Sequence, residues 1–412
     1  MRIGVITKSL RSGGGASRFA FELADKFRER GDNVRIFTYS AQGRLPDEER
    51  VEESGIVSRL CRHLDWRLSR LGCIGFTGWD FREIRRKTGD FAEVIHVHDS
   101  YEAISPLTIG LFSKLAPVLH TMHDTSSFTG GCINPMGCER YRRGCGHCPQ
   151  REVLGRFDLT AMNFAIRRKV YANPRISCAF PSAWMLREAS SSLSLGRRAR
   201  LIPNGFDAVA HNFRPRAEAR KILGIPQNSV VLCAGAHTVS SAHKGFGFVV
   251  DAVTLNKDVD LHLILLGHVR PEATATLDGL RVTMPGFVSQ KERLALYYSA
   301  ADLMLFPSMG DNLPIMIQES MYAQTPVLAF ATGGIPELID DEINGWLVPT
   351  GDGQAFTRKL RSLLSDRNAL VQAGLRAQEK ITRSFNMSDC VQRYAETYEQ
   401  MIALSRASQH QA

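Results

Sequence analysis

The stretch Phe306–Asp352, FPSMGDNLPIMIQESMYAQTPVLAFATGGIPELIDDEINGWLVPTGD, constrains the fold more than any other part of the chain. It reads as strand, loop, helix, strand, glycine loop and short helix. Leu303–Phe306 is a short apolar run of the length a buried strand needs. Residues 307–312 are rich in turn formers. Asp311 or Asn312 is placed to cap a helix with Pro314 in its first turn, where a missing N–H costs nothing. That helix carries Glu319, Pro326 stops it, and Val327–Phe330 is the next strand. Gly333 and Gly334 then let backbone and ligand approach closely. Free N–H groups at a helix start, a second glycine turn and a carboxylate two turns on suit one kind of ligand: anionic at one end, rich in hydroxyls at the other.

The same alternation runs through the rest of the chain. Residues 2–8 read as a buried strand, followed by Gly13-Gly14-Gly15, a helix from Ala16 to Arg30 and a second strand, Val34–Tyr39. Phe19, Leu23 and Phe27 stand four apart on one helix face. Val94–His98 and Val118–Met122 are further strands, ending in His98-Asp99 and His123-Asp124, with a helix over 102–114 between them. Polar residues at the mouth of a parallel sheet are well placed to touch a ligand. A helix over Leu159–Tyr171, a strand Ile176–Phe180 and a helix from Ser182 complete a first domain. The second opens with Val230–Ala234, and its loop runs to Lys244-Gly245 at a helix start, where a cation and free amides would grip phosphate. The predicted division is 1–203, 204–387 and a C-terminal helix over 388–412. That helix carries a stripe of Val391, Tyr394, Tyr398 and Met401, which must bury on something.

At 412 residues the chain is long enough for two full cores. A hydrophobic content of 44% and a charged content of 23% are ordinary for a soluble globular protein. The formal charge of +9 favours nucleic acid, anionic lipid or anionic substrates without choosing among them. The basic residues are not interleaved with aromatics as base stacking requires, so no nucleic-acid partner is expected. Arg2–Ile6 goes straight into a strand, so no signal peptide is expected. No run approaches the roughly 18 apolar residues of a membrane span. A cytoplasmic protein with reduced cysteines is expected.

Asp311 and Glu319 with seven residues between them, then Pro326-Val327, Gly333-Gly334, Pro336-Glu337 and Asn344-Gly345, resemble the donor site of retaining family 4 glycosyltransferases. The resemblance covers nearly the whole chain and is strongest over 306–352. It implies an α/β protein of the GT-B fold, two Rossmann-like domains facing each other across a cleft. The family usually has glutamate at both ends of the spacing; Asp311 is one methylene shorter. Asp311-Asn312-Leu313-Pro314 resembles a polysaccharide-building branch of the colanic-acid type. The implied reaction is transfer of a sugar from a nucleoside diphosphate sugar to a hydroxyl of a glycan or lipid-linked acceptor, with retention and with no cofactor. The implied roles are as follows. Glu319 holds ribose hydroxyls and Asp311 the donor sugar. His123 contacts the sugar or assists the developing charge. Lys244, Gly245, the backbone at Gly14 and the helix start after Asn312, with Leu313, hold the diphosphate. Leu201–Asp207 resembles the interdomain crossing, and the family folds its last helix back onto the first domain.

Two stretches stand apart from this pattern. Cys132, Cys138, Cys145 and Cys148 fall within seventeen residues and offer a four-thiolate set for structural zinc. A loop disulfide or four unrelated thiols are the other readings. Residues 55–70, GIVSRLCRHLDWRLSR, put Ile56, Leu60, Leu64 and Leu68 on a stripe flanked by Arg59, Arg62, His63, Arg67 and Arg70. That pattern, with the apolar stretch 74–79, fits either peripheral contact with an anionic membrane surface or an ordinary docked helix with a solvated face. Two other functions stay open. A sugar-nucleotide epimerase would need acid–base groups such as His123 and Asp124. A non-catalytic binder of anions would need only the charge.

Overall fold

The structure is a computed structural model. It describes residues 1–9, 13–38, 48–50, 55–70, 81, 84–85, 91–150, 158–238, 242–269 and 277–409. The chain divides into two compact units. One is Met1–Pro203 with Cys390–Ala412, the other Asn204–Asp389.

The first unit is built on a parallel sheet. Its strands are β1 (Arg2–Thr7), β2 (Asn33–Thr38), β3 (Glu48–Arg50), β4 (Val94–Val97), β5 (Val118–Thr121), β6 (Ile176–Phe180) and β7 (Ala199–Leu201), in the order β3-β2-β1-β4-β5-β6-β7. The apolar runs of β1, β4 and β5 are buried almost from end to end, as a parallel sheet covered on both faces demands. Helix Gly15–Glu29 buries Phe19, Leu23 and Phe27. Gly31, at φ +93°, ends the segment. The helix expected over 102–114 is shorter, Pro106–Phe112. Glu102 sits at φ +58° and cannot be helical. Ser105 caps the helix by accepting the Leu107 N–H at 3.1 Å.

The last helix, Met387–Gln409, belongs to this first unit from Cys390 on. Tyr394 and Tyr398 are fully buried. Phe27 lies 5.2 Å from Tyr398 and Phe19 lies 6.4 Å from Tyr394, ring to ring. Glu399 receives Arg30 at 3.1 Å and Arg406 reaches Glu93 at 2.7 Å, both at the surface.

The second unit holds β8 (Val230–Thr238), β9 (Leu261–His268), β10 (Arg281–Gly286), β11 (Leu303–Phe306), β12 (Val327–Phe330) and β13 (Gly345–Val348), all parallel, in the order β10-β9-β8-β11-β12-β13. The two-residue period of a strand sorts its side chains into two cores. Val231, Cys233, Met304, Phe306, Val327 and Ala329 join one. Val230, Leu232, Leu303, Leu305, Leu328 and Phe330 join the other.

The helix after β11 runs Ile315–Tyr322, and Pro314 itself is its N-cap, with no side-chain cap. The expected cap by Asp311 or Asn312 is therefore corrected. The helix begins at the residue after Pro314, and the Asp311 carboxylate is held elsewhere, as described below. The basic helix spans Gly55–Arg70, and Leu60, Leu64 and Trp66 are exposed on it, the first to 64%. The apolar stretch 74–79 lies outside the described residues.

Candidate active site

In each sheet the strand order reverses at one point, and a ligand crevice opens there beyond the carboxyl ends of the strands. In the second unit the reversal falls between β8 and β11. The loop after β8 ends in a 3-10 turn, Ala242–Lys244, and helix Phe246–Thr254 follows. Gly245 caps that helix at φ +71°. A Cβ on it would stand 1.9 Å from the Pro307 carbonyl oxygen, so only glycine fits. This close approach brings Lys244 to the loop after β11. Its Nζ stands 2.8 Å from Asp311 Oδ2, and both side chains are partly open to solvent. Ser308 Oγ donates to the same carboxylate oxygen at 2.7 Å. Burial, then the Lys244 charge, holds the His243 imidazole below its usual pKa.

The glycine pair after β12 serves the same loop. Gly333 has φ +60°, and a Cβ there would lie 1.8 Å from the Asp311 carbonyl oxygen. The Gly334 N–H donates to that oxygen at 3.1 Å. The close approach read from the sequence as backbone to ligand is thus backbone to backbone at Gly333. Asn312 is nearly buried and Leu313 packs in the core. A ligand contact by Leu313 is therefore confined to its main chain.

Glu319 lies deeper. Its side chain is about 1% exposed. Tyr298 O–H donates to Oε2 at 3.0 Å, and Oε1 lies 3.3 Å from His211 Nε2. His211 Nδ1 lies 2.8 Å from the Asp207 carbonyl oxygen. Both ring nitrogens of His211 thus face oxygen atoms of the protein. The carboxylate expected to meet ribose is, as it stands, engaged by protein on both oxygens. His211 and Tyr298 escaped the sequence reading. They lie 108 and 21 residues from Glu319, and no spacing rule connects them.

In the first unit the reversal falls between β1 and β4. Gly14 caps helix Gly15–Glu29 at φ −63°, ψ 171°. A Cβ on it would meet nothing within 4 Å. Among the described residues the space beside Gly14 at this fifteen-residue helix start is open, and no acidic residue stands in the first turn. Ser17 Oγ donates to Asp99 Oδ2 at 2.8 Å and ties the helix start to the end of β4.

His123 belongs to a buried chain of imidazoles. Its Nε2 lies 3.0 Å from His98 Nδ1; His98 Nε2 lies 3.1 Å from His96 Nδ1. His96 Nδ1 also meets Tyr398 Oη at 2.6 Å, and His96 Nε2 meets Thr121 Oγ1 at 2.7 Å. Burial lowers His123 to about 3 and holds His96 and His98 well below their usual value. His123 is thus a neutral imidazole near pH 7, able to donate or accept a hydrogen bond but carrying no charge. Asp124 caps a short 3-10 turn by accepting the Ser126 N–H at 2.8 Å.

All four loop cysteines, Cys132, Cys138, Cys145 and Cys148, are free thiols and only partly exposed. Among the described residues no three His, Cys, Asp or Glu side chains are already gathered closely enough to hold a metal ion.

A family model described as Glycosyltransferase Family 4 matches residues 13–209, and one described as Glycosyl transferases group 1 matches residues 228–366. The chain is a family 4 glycosyltransferase. This glycosyltransferase is 26% identical over 405 residues to the D-inositol 3-phosphate glycosyltransferase of Xylanimonas cellulosilytica, covering 89% of this chain and 88% of that one. It is 32% identical over 172 residues to the amylovoran biosynthesis glycosyltransferase AmsK of Erwinia amylovora, a match spanning 38% of the chain and 42% of AmsK. In fold it is similar to Anabaena HepE, solved in complex with UDP-glucose. The TM-score is 0.71 at 17% identity, covering 97% of this chain and 99% of HepE. The glycosyltransferase has the GT-B fold. None of its described helices is long and apolar enough to cross a membrane.

Proposed function

We propose that this glycosyltransferase moves a sugar from a nucleoside diphosphate donor to a hydroxyl of a glycan or lipid-linked acceptor, with retention, in the building of a polysaccharide. The observation that carries the reading is the Lys244–Asp311 pair beside a glycine-gated helix start at the mouth of a parallel sheet. A diphosphate arriving there meets a cation and the free N–H groups of a helix end. Two similar proteins support the chemistry: HepE was solved with UDP-glucose, and AmsK serves amylovoran biosynthesis.

The chemical difficulty is charge. As the sugar–phosphate bond stretches, the diphosphate gains negative charge and the sugar becomes oxocarbenium-like. Lys244 would transfer its contact from Asp311 to the phosphate, and the helix start at Gly245 would add dipoles already aimed at it. Asp311, released, would accept sugar hydroxyls. His123 would hydrogen-bond the sugar as a neutral ring, not as a cation. Glu319 would reach ribose only by exchanging the Tyr298 or His211 contact for ribose hydroxyls. The leaving phosphate would take the acceptor's proton, so no enzyme nucleophile is needed. The acceptor would lie at the cytoplasmic membrane surface, with helix Gly55–Arg70 touching anionic lipid.

The test is a panel of nucleoside diphosphate sugars, screened for thermal stabilisation and then for transfer. NMR of the product's anomeric centre reads the stereochemistry. A stabilising donor and a product with the donor's own anomeric configuration are expected. Inversion would overturn the retaining mechanism. Solvent hydrogen appearing in the sugar without transfer would make the protein an epimerase.

A further inference from the structure

The thiol-rich loop plays no part in the proposed transfer, yet it gathers four cysteines within seventeen residues. Residues 129–150 carry little regular structure, a single 3-10 turn at Arg140–Arg142. Cys132, Cys138, Cys145 and Cys148 nevertheless all line one cavity of about 230 Å³, and Gly130, Arg140 and Thr160 share its wall. Gly130 N–H donates to Cys145 Sγ at 3.1 Å. A Cβ on Gly130 would lie 2.7 Å from Thr160 Cβ and 3.2 Å from Cys145 Cβ, so the backbone is drawn tightly against the thiol. The Arg140 guanidinium donates to the carbonyls of Gly146 and His147 at 3.2 and 2.6 Å. Cys148 N–H donates to Asp158 Oδ2 at 2.7 Å. Between Cys145 and Cys148 the chain turns through left-handed residues, including His147 at φ +49°.

We propose that the four thiols close on one zinc ion as a tetrahedral four-sulfur site that locks this loop. Four thiolates complete the coordination of a structural zinc and leave no open position for catalysis. Sulfur selects zinc over magnesium or calcium, which take oxygen. Zinc binding expels four thiol protons and leaves a site of charge −2. Arg140 in the cavity wall offsets part of that charge. The N–H of Gly130 already points at sulfur, the contact that stabilises a thiolate. Protonated thiols have no attraction for one another. The metal would supply it, drawing the sulfurs in from the cavity wall by side-chain rotation and small loop shifts, so that binding and loop ordering are one event.

The full chain, purified without chelators, should hold about one zinc by elemental analysis. Cys145→Ser and Cys148→Ser should lose it, and Cys61→Ser, outside the loop, should keep it. Protein stripped of metal and given cobalt should show the visible bands and sulfur charge-transfer absorption of a tetrahedral four-thiolate ion. Zinc added to the stripped protein should raise its melting temperature and release about four protons per chain. The cobalt spectrum decides the matter on the wild type even if the serine variants fail to fold. Metal-free protein whose loop thiols all react freely with a thiol reagent, and whose melting temperature ignores added zinc, would overturn the proposal. So would a disulfide between any two of the four in freshly purified protein.

Discussion

Lys244 and Glu319 are both charged and both lie near the mouth of the second sheet, but their surroundings ask different things of them. Lys244 is partly open and paired with a partly open Asp311. Lys244→Ala should cost little stability, since such pairs contribute about 0–1 kcal/mol. It should lower turnover by roughly 10²–10³-fold, the effect of losing one stabilising contact to developing charge. Steady-state kinetics that show normal turnover with only a higher donor KM would leave Lys244 a ground-state binder. Glu319 is sealed in, with Tyr298 and His211 on its oxygens. Glu319→Ala takes the acceptor away from the Tyr298 O–H and from His211 Nε2, and the fold should lose at least about 1–3 kcal/mol, the cost of stripping a buried donor of its acceptor. Calorimetry of nucleotide binding therefore belongs with Glu319→Gln, which keeps the shape. Unchanged affinity in that variant would remove Glu319 from the donor site. The histidines set the acid limit. His123 titrates near 6.5 when unfolded and at about 3 when folded. Between those values the unfolded chain binds the proton and the native one does not, so stability falls as pH drops from about 6.5 toward 3. His96 and His98 act in the same direction. Denaturant melts of wild type and His98→Gln at pH 7 and pH 5 check this: the variant should lose less on acidification.

At the scale of the element, the glycine loops are demanded by their neighbours. Gly333→Ala puts a methyl group onto the Asp311 carbonyl. Left-handed backbone alone costs about 1–2 kcal/mol for a residue with a Cβ, and the clash must also displace the loop that carries Asp311. A lower melting temperature together with a sharp loss of transfer is expected. A variant with wild-type turnover would show that the position of Asp311 is unimportant. Helix Gly55–Arg70 poses the opposite case, an element whose exposed face has leucines and a tryptophan beside arginines. Each basic residue near an anionic surface contributes about 1 kcal/mol, and the attraction decays over roughly 10 Å at 0.1 M salt. The enzyme should co-sediment with anionic vesicles, less with neutral ones and less in high salt. Reversing Arg59 and Arg67 to glutamate should weaken sedimentation and spare donor binding. Equal sedimentation of the reversed variant would mark the arginines as an ordinary solvated face.

At the scale of the molecule, the chain's last stretch completes the unit that its first stretch begins. Ending the chain at Asp389 removes Tyr394 and Tyr398, whose hydroxyls meet Thr121 and His96. Each buried aromatic is worth about 3–5 kcal/mol, so residues 1–203 should lose protease resistance while 204–389 keep theirs; resistance of both would show that the helix is dispensable. Much of this architecture was legible in the linear chain. Buried parallel strands are continuous apolar runs, and Leu303–Phe306, Val327–Phe330 and Ile176–Phe180 stand where those runs are. Proline and glycine mark the breaks between elements because their backbone limits are local. The spacing of Asp311 and Glu319 also survives in the linear chain, because one loop and one helix carry both. What the sequence could not carry were contacts between distant segments. His211 and Tyr298 on Glu319, Lys244 on Asp311, Gly333 against the Asp311 carbonyl and Tyr398 on His96 all depend on which strands lie side by side. Even the helix cap, expected at Asp311 or Asn312, falls at Pro314, and Lys244 and Ser308 hold the aspartate. Local periodicity decides where an element begins; the partners of a buried polar group are decided only when the sheet forms and leaves it no water to bond.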